Sequence, residues 1–177
     1  MYSIKERLLA FYTQRLVSAN QVARLNVGYK QAQVLGLLYT YEDTQKHQAV
    51  LRFVDQIKAT GKKLYTLCYV ATKDMVYDGA FPAFTQQGIS LLGRFKDEQV
   101  VDFLNIPFDY LYHVDLWGNP ILDYLLAKCK AKCRVGSFDT TRAGLFELMI
   151  KVNCQTGNHN LDELTAQMLH YTQLLQA

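Results

Sequence analysis

Three carboxylates and a histidine have the types and spacing that could do chemistry: Glu42 and Asp43 directly after an apolar run, and Asp115 two residues beyond His113. Paired carboxylates can serve as general acid and base, or hold a hard cation such as Mg²⁺ through oxygen. Residues two apart on a strand share a face, so His113 and Asp115 could form a His–carboxylate couple. No serine or cysteine is placed by the sequence to join that couple as a nucleophile. The competing reading is structural: Asp43 caps a helix and Asp115 caps the turn before Asn119, both common uses of Asp.

The elements that must position these groups follow from hydrophobic period and turn residues. Residues 108–138, FDYLYHVDLWGNPILDYLLAKCKAKCRVGSF, read as an apolar strand, a Gly-Asn turn, an amphipathic helix and a second strand ending in Gly136. That order is one βαβ crossover. Upstream, residues 33–40 with VLGLLY at their centre form the nearly continuous apolar run of a strand buried on both faces. Asp43 or Thr44 caps the next helix, whose stripe is Val50, Phe53, Val54 and Ile57 and which stops at Gly61. KLYTLCYV, residues 63–70, is the second strand, giving another βαβ unit with the usual right-handed crossover.

Residues 71–96 are irregular, with a short strand expected at 89–92 and with Tyr77, Phe81 and Phe84 pinning the loop to the core. A loop of that length also suits a lid over a pocket. A helix over 96–104 closes before Pro107, and a strand over 110–115 follows. Residues 145–152 read as a last strand, although LFELMIKV suits a helix nearly as well. Asn160 with Glu163 has the spacing of a capping box for a C-terminal helix. An N-terminal helix over 3–17, with Ile4, Leu8, Phe11 and Tyr12 on its stripe, stands outside the alternation. The expected fold is a single α/β domain over residues 1–177, three-layer and Rossmann-like, with 1–30 as a helical extension. Its sheet is mostly parallel and has about 5–6 strands.

Ligands of open parallel sheets sit beyond the strand C-termini where strand order reverses. If the first two crossovers run one way and the later ones the other, that point lies between the strands 33–40 and 109–115, lined by Tyr41, Glu42, Asp43, Thr44, Asp115, Trp117 and Asn119, with His113 beside them. Dinucleotide binding there needs a Gly-rich turn that bares backbone N–H groups to the pyrophosphate. Glu42 and Asp43 stand in its place and would repel phosphate at close range. Trp117 could stack on a sugar or base.

Composition narrows the class. The chain has 177 residues, 50% of them hydrophobic, with 12 Tyr and 9 Phe, enough for one well-filled core and too apolar for disorder. No apolar run reaches the roughly 18–20 residues of a membrane span, and Glu6 and Arg7 interrupt the place of a signal-peptide core. Cys68, Cys129, Cys133 and Cys154 form no Cys-x-x-Cys pair, which fits free thiols in the cytoplasm. Net charge is +3, but residues 1–30 alone carry Lys5, Arg7, Arg15, Arg24 and Lys30 against Glu6. A second basic run, Lys128, Lys130, Lys132 and Arg134, is expected to emerge on one edge, as a solvated face or as a patch for RNA or another anion.

Two resemblances rest on these residues. The segments GLLY, GKKLYTLCYV, PFDYLYHVDL, AKCRVG and ELMI resemble a family of small bacterial proteins of unknown function, over about residues 20–175; the likeness implies a fold and no activity. The stretch FDYLYHVDLWGN with LLAKCKAKCRVGSF resembles the N-terminal Rossmann-like domain of heptosyltransferase-type glycosyltransferases, with Asp115, Gly118, Asn119, Arg134 and Gly136 at matching positions. Tyr41-Glu42-Asp43 replaces that family's Gly-Asp turn, and a chain of 177 residues has no room for its second, nucleotide-sugar domain. This likeness therefore implies architecture and speaks against transfer.

A complete scaffold without a phosphate loop, metal constellation or nucleophile points to a non-catalytic binding module, with another protein or a second copy as partner. The alternatives are a small enzyme or binding protein for a saccharide or nucleotide at the switch point, and an RNA- or ribosome-associated protein. No cofactor or metal is indicated, and no membrane association.

Overall fold

The computed structural model describes residues 3–19, 27–71, 77–152 and 159–175. Its strands are β1 (Val34–Tyr41), β2 (Lys63–Val70), β3 (Ala83–Phe84), β4 (Phe108–His113), β5 (Ala131–Ser137) and β6 (Leu148–Ile150). They form one sheet in the order β3-β2-β1-β4-β5-β6, with every pairing parallel. The helices are α1 (Ile4–Ala19), α2 (Thr44–Lys58), α3 (Glu98–Asn105), α4 (Pro120–Lys128) and α5 (His159–Leu174). This is the three-layer, Rossmann-like arrangement with an added N-terminal helix.

The layers follow from the two-residue period of the central strand. Leu35, Leu37, Tyr39 and Tyr41 of β1 face a core shared with Val50 and Phe53 of α2 and Leu164 and Met168 of α5. Leu38 faces the opposite core, shared with Leu9 of α1, Phe103 of α3 and Leu125 of α4. A strand buried on both faces has no polar side to show, hence the unbroken VLGLLY. The β1-to-β2 crossover puts α2 on one face while α3 and α4 of the later crossovers lie on the other, and strand order reverses between β1 and β4.

Several expectations are corrected by tertiary context. Residues 89–92 make no strand of the sheet. Ser90 N–H donates to Arg94 O and Gly93 N–H to Ser90 O, so the segment is a tight turn with Gly93 at φ 71° and Leu91 and Leu92 at its exposed tip. The edge strand is instead the two-residue β3, with Phe84 buried and Tyr77 and Phe81 packed on the core. The stripe of α1 is out of phase with expectation: Leu9 and Thr13 are buried against the core while Ile4 and Phe11 face solvent. Thr13 can be buried because its hydroxyl donates to Leu9 O at 2.8 Å within the helix. Residues 140–145 form a 3-10 turn before a short β6. Asn160 lies within α5 rather than ahead of it, and Glu163 accepts from Gln167 at 3.0 Å, so the two form no capping box. Cys129 ends α4 and Cys133 lies in β5, and Cys154 lies outside the described residues.

Gly36, at the centre of β1, is required by close approach. A Cβ there would lie 2.6 Å from Leu111 Cδ1 and 2.8 Å from Phe108 Cε1. Gly36→Ala should lose about 1–3 kcal/mol of stability through overpacking, read as a lower midpoint in urea with unchanged slope. Gly61→Ala, with open space around it but φ 74°, makes a comparison in which only backbone strain acts.

Candidate functional site

Beyond the C-terminal ends of β1 and β4 lies a buried knot of polar groups centred on Asp115. One carboxylate oxygen accepts from Thr40 N–H at 3.0 Å and from Lys46 Nζ at 2.7 Å, and the other from the Thr40 hydroxyl at 2.8 Å. Lys46, in the first turn of α2, also reaches Glu42 at 2.9 Å. The side chains of Lys46 and Asp115 are 8% and 3% exposed, whereas that of Glu42 is 55% exposed. Burial works against the Lys46 charge, but Asp115 and Glu42 together outweigh it and hold the ammonium above its usual pKa. The Nζ therefore stands where carboxylates would otherwise hold a cation. Among the described residues, no three His, Cys, Asp or Glu side chains come together in a way that could hold a metal ion.

The other residues at this end are placed as follows. Asp43 caps α2, its carboxylate accepting from Lys46 N–H at 2.7 Å, and Thr44 is exposed in the first turn. Asn119 caps α4 by accepting from Ile121 N–H at 2.9 Å. Asp115 does not cap the turn before Asn119, because its oxygens are drawn sideways to β1. Trp117 projects into solvent at 71% exposure. Tyr41 is buried, edge-on to His47 and Tyr77.

His113 is fully buried behind this knot, with Nε2 3.5 Å from Asp115 Oδ2 and neither ring nitrogen in an aligned hydrogen bond to another described residue. Burial, reinforced by the Arg142 and Lys46 charges, pushes its pKa well below the ordinary histidine value. The imidazole is therefore neutral, and the proximity to Asp115 does not make an ion pair. Arg142 completes this side, donating from Nε to Asp123 at 3.1 Å and lying over the Phe146 ring. Its side chain passes so close to Gly118 that a Cβ there would lie 2.9 Å from Arg142 Cδ.

Sequence reasoning overlooked Lys46, Thr40 and a second cluster around His47. His47 Nδ1 lies 2.8 Å from the Tyr39 hydroxyl and Nε2 3.1 Å from Asp78, the latter misaligned for a hydrogen bond. The Tyr39, Tyr41, Tyr77 and Phe81 rings surround it. Burial, followed by Cys68, raises the Tyr39 phenol far above its ordinary pKa. The four-residue Glu42–Lys46 spacing was the available signal for Lys46, although Glu42 itself lies ahead of the Asp43 cap and outside α2. Nothing in the spacing of His47 and Asp78 marks them as neighbours.

The basic run does not act as one patch. Lys128 and Lys130 are exposed, Lys132 pairs with Asp109 at 2.7 Å, and Arg134 is buried against Glu147 at 3.2 Å. Depth separates them: Lys132 and Arg134 share a face of β5, but exposure falls from Lys130, ahead of the strand, through half-buried Lys132 to buried Arg134.

The chain belongs to a family of unknown function, DUF6913. The family's sequence model matches residues 5–175, and thus spans the whole arrangement described above. No curated protein and no solved structure matches the chain, so the heptosyltransferase likeness gains no support. No helix among the described residues is long and apolar enough to cross a membrane.

Two measurements test the electrostatics of the knot. Lys46→Met leaves Asp115 buried beside a lost partner and should cost about 3–5 kcal/mol in urea unfolding. Asp43→Ala, which removes only a cap, should cost about 1 kcal/mol. For His113, the unfolded imidazole takes up a proton below about pH 6.5 while the folded one stays neutral. The unfolded chain then binds more protons, so stability is full above that pH and falls as pH drops below it. His113→Leu should flatten the decline in melting temperature between pH 7 and 5.

Proposed function

We propose that this protein is a binding module that engages another protein through the rim of the sheet at the C-terminal ends of β4 and β5. The observation that carries this is a pair of exposed aromatics on adjacent strand exits: Trp117 at 71% and Phe138 at 48% exposure. The Ser137 hydroxyl donates to Leu116 O at 3.1 Å, which joins the two segments that carry them. Lys151 adds a positive charge 5.9 Å from the Phe138 ring. Large rigid aromatics, Trp foremost, are among the side chains that dominate protein contacts.

The polar groups next to this rim support a non-catalytic reading, because they are committed to one another. Asp115 accepts three hydrogen bonds, and Asp43 and Asn119 cap helices. A saccharide or nucleotide at the switch point is the second reading, favoured by the strand reversal between β1 and β4 and by the half-exposed Glu42. RNA association has less behind it, with Lys132 and Arg134 already paired. A cytoplasmic setting accords with Cys68, Cys129 and Cys133, which are free and buried.

Affinity capture from the native host, with wild type and Trp117→Ala/Phe138→Ala in parallel, tests the proposal. The expected result is a partner protein retained by the wild type and lost at least ten-fold by the double variant, whose melting temperature is unchanged. Equal retention by both overturns it. A thermal shift from one member of a saccharide and nucleotide panel, abolished by Asp115→Asn, would establish the second reading instead.

A further inference from the structure

β2 is only half covered at its outer edge. β3 pairs with Cys68 and Tyr69 alone, and Cys68 N–H donates to Pro82 O at 2.9 Å. On the other side, Lys63 N–H donates to Gln33 O beside β1. Main-chain groups alternate along a strand, so Lys63, Tyr65 and Leu67 turn theirs toward β1 while Leu64 and Thr66 turn theirs outward. Among the described residues no strand meets those two N–H and two C=O groups.

The open stretch is the floor of a cavity of about 410 Å³. Lys58, at the end of α2, walls one side; Asp102, Phe103 and Ile106 wall the other; Phe81 and Pro82 close one end. We propose that this lane takes an extended segment of another protein as an added strand, hydrogen-bonded to the main chain of Leu64 and Thr66. The floor supplies directional pairing, and the walls sort alternate side chains. Residues turned toward Phe103 and Ile106 would be apolar, and those turned toward Lys58 acidic.

The size of the lane decides against a second copy as occupant. Four residues of strand span about 13 Å, too short a contact to bury the ~800 Å² per partner of a stable dimer. The same walls on both copies would also keep two folded edges apart. Exposed strand edges are normally blunted by charge or proline, and here Lys63 and Pro82 flank the stretch without filling it. This site is remote from the aromatic rim and stands independently of the function proposed for it.

The probe is a fluorescein-labelled acetyl-(Glu-Val)3-amide, titrated with the whole protein and followed by anisotropy and by hydrogen exchange of the β2 amides. The expected result is saturation below about 1 mM, with slowed exchange at Leu64 and Thr66 and no change in β1. N-methylation of one alternate set of peptide residues should weaken binding at least ten-fold while methylation of the other set leaves it intact. Thr66→Pro, which removes an outward N–H and spares the N–H groups paired with β1, should weaken it similarly with the fold retained. Absence of binding at 1 mM, equal tolerance of both methylated sets, or protection of the same amides by self-association would each overturn the proposal.

Discussion

A buried ammonium bridging two carboxylates holds together the point where this sheet would otherwise open. In a parallel α/β sheet, the strands on either side of the reversal send their helices to opposite faces, which leaves a crevice at their C-terminal ends. Here the crevice is crossed by Lys46, reaching from α2 to Asp115 beyond β4, while Asp115 itself grips both the backbone and the hydroxyl of Thr40 on β1. Three elements are thereby fixed to one carboxylate. Desolvating two charges is costly, and the arrangement is tolerable because the Asp115 oxygens have partners and the half-exposed Glu42 brings further negative charge to Lys46.

The remaining polar chemistry of that end is subordinate to this bridge. His113 stays neutral because it is buried between the positive charges of Lys46 and Arg142, and Arg142 is held in turn by Asp123. On the far side of Lys46, His47 is enclosed by aromatic rings that connect β1 to the segment leading into β3. The two surfaces proposed to meet a partner are peripheral: the exposed aromatics on the β4 and β5 exits and the uncovered half of β2. Both lie where the layered core ends, at one strand terminus and at one sheet edge.

How much of this was legible varies with the kind of pattern. β2 appears in the sequence with its observed bounds, because KLYTLCYV is flanked by turn residues, whereas α4 was expected only as a helix somewhere after the Gly-Asn turn, and its start was fixed by the Asn119 cap. The strand reversal between β1 and β4 depended on which way the crossovers run, which the alternation of elements leaves open and the sheet order decides. The α1 stripe did not, since Ile4, Leu8, Leu9, Phe11 and Tyr12 offer two apolar faces and packing on α4 chose between them. Leu91 and Leu92 were misleading for the opposite reason: apolar side chains at a turn tip are set by the left-handed Gly93, not by period.

The candidate site shows the same division. By itself the sequence determined the elements, the α/β class and the end of the sheet at which Asp115, Asp43 and Asn119 gather, because local period, capping and turn chemistry act over a few residues. Only the tertiary structure decided what those residues do. Asp115 and Thr40 are 75 residues apart along the chain, and a carboxylate that reads as a cap or an acid becomes a strut once a lysine is buried against it. Charge placement in a low-dielectric interior depends on which groups the fold brings within about 3 Å, and spacing along the chain does not carry that information.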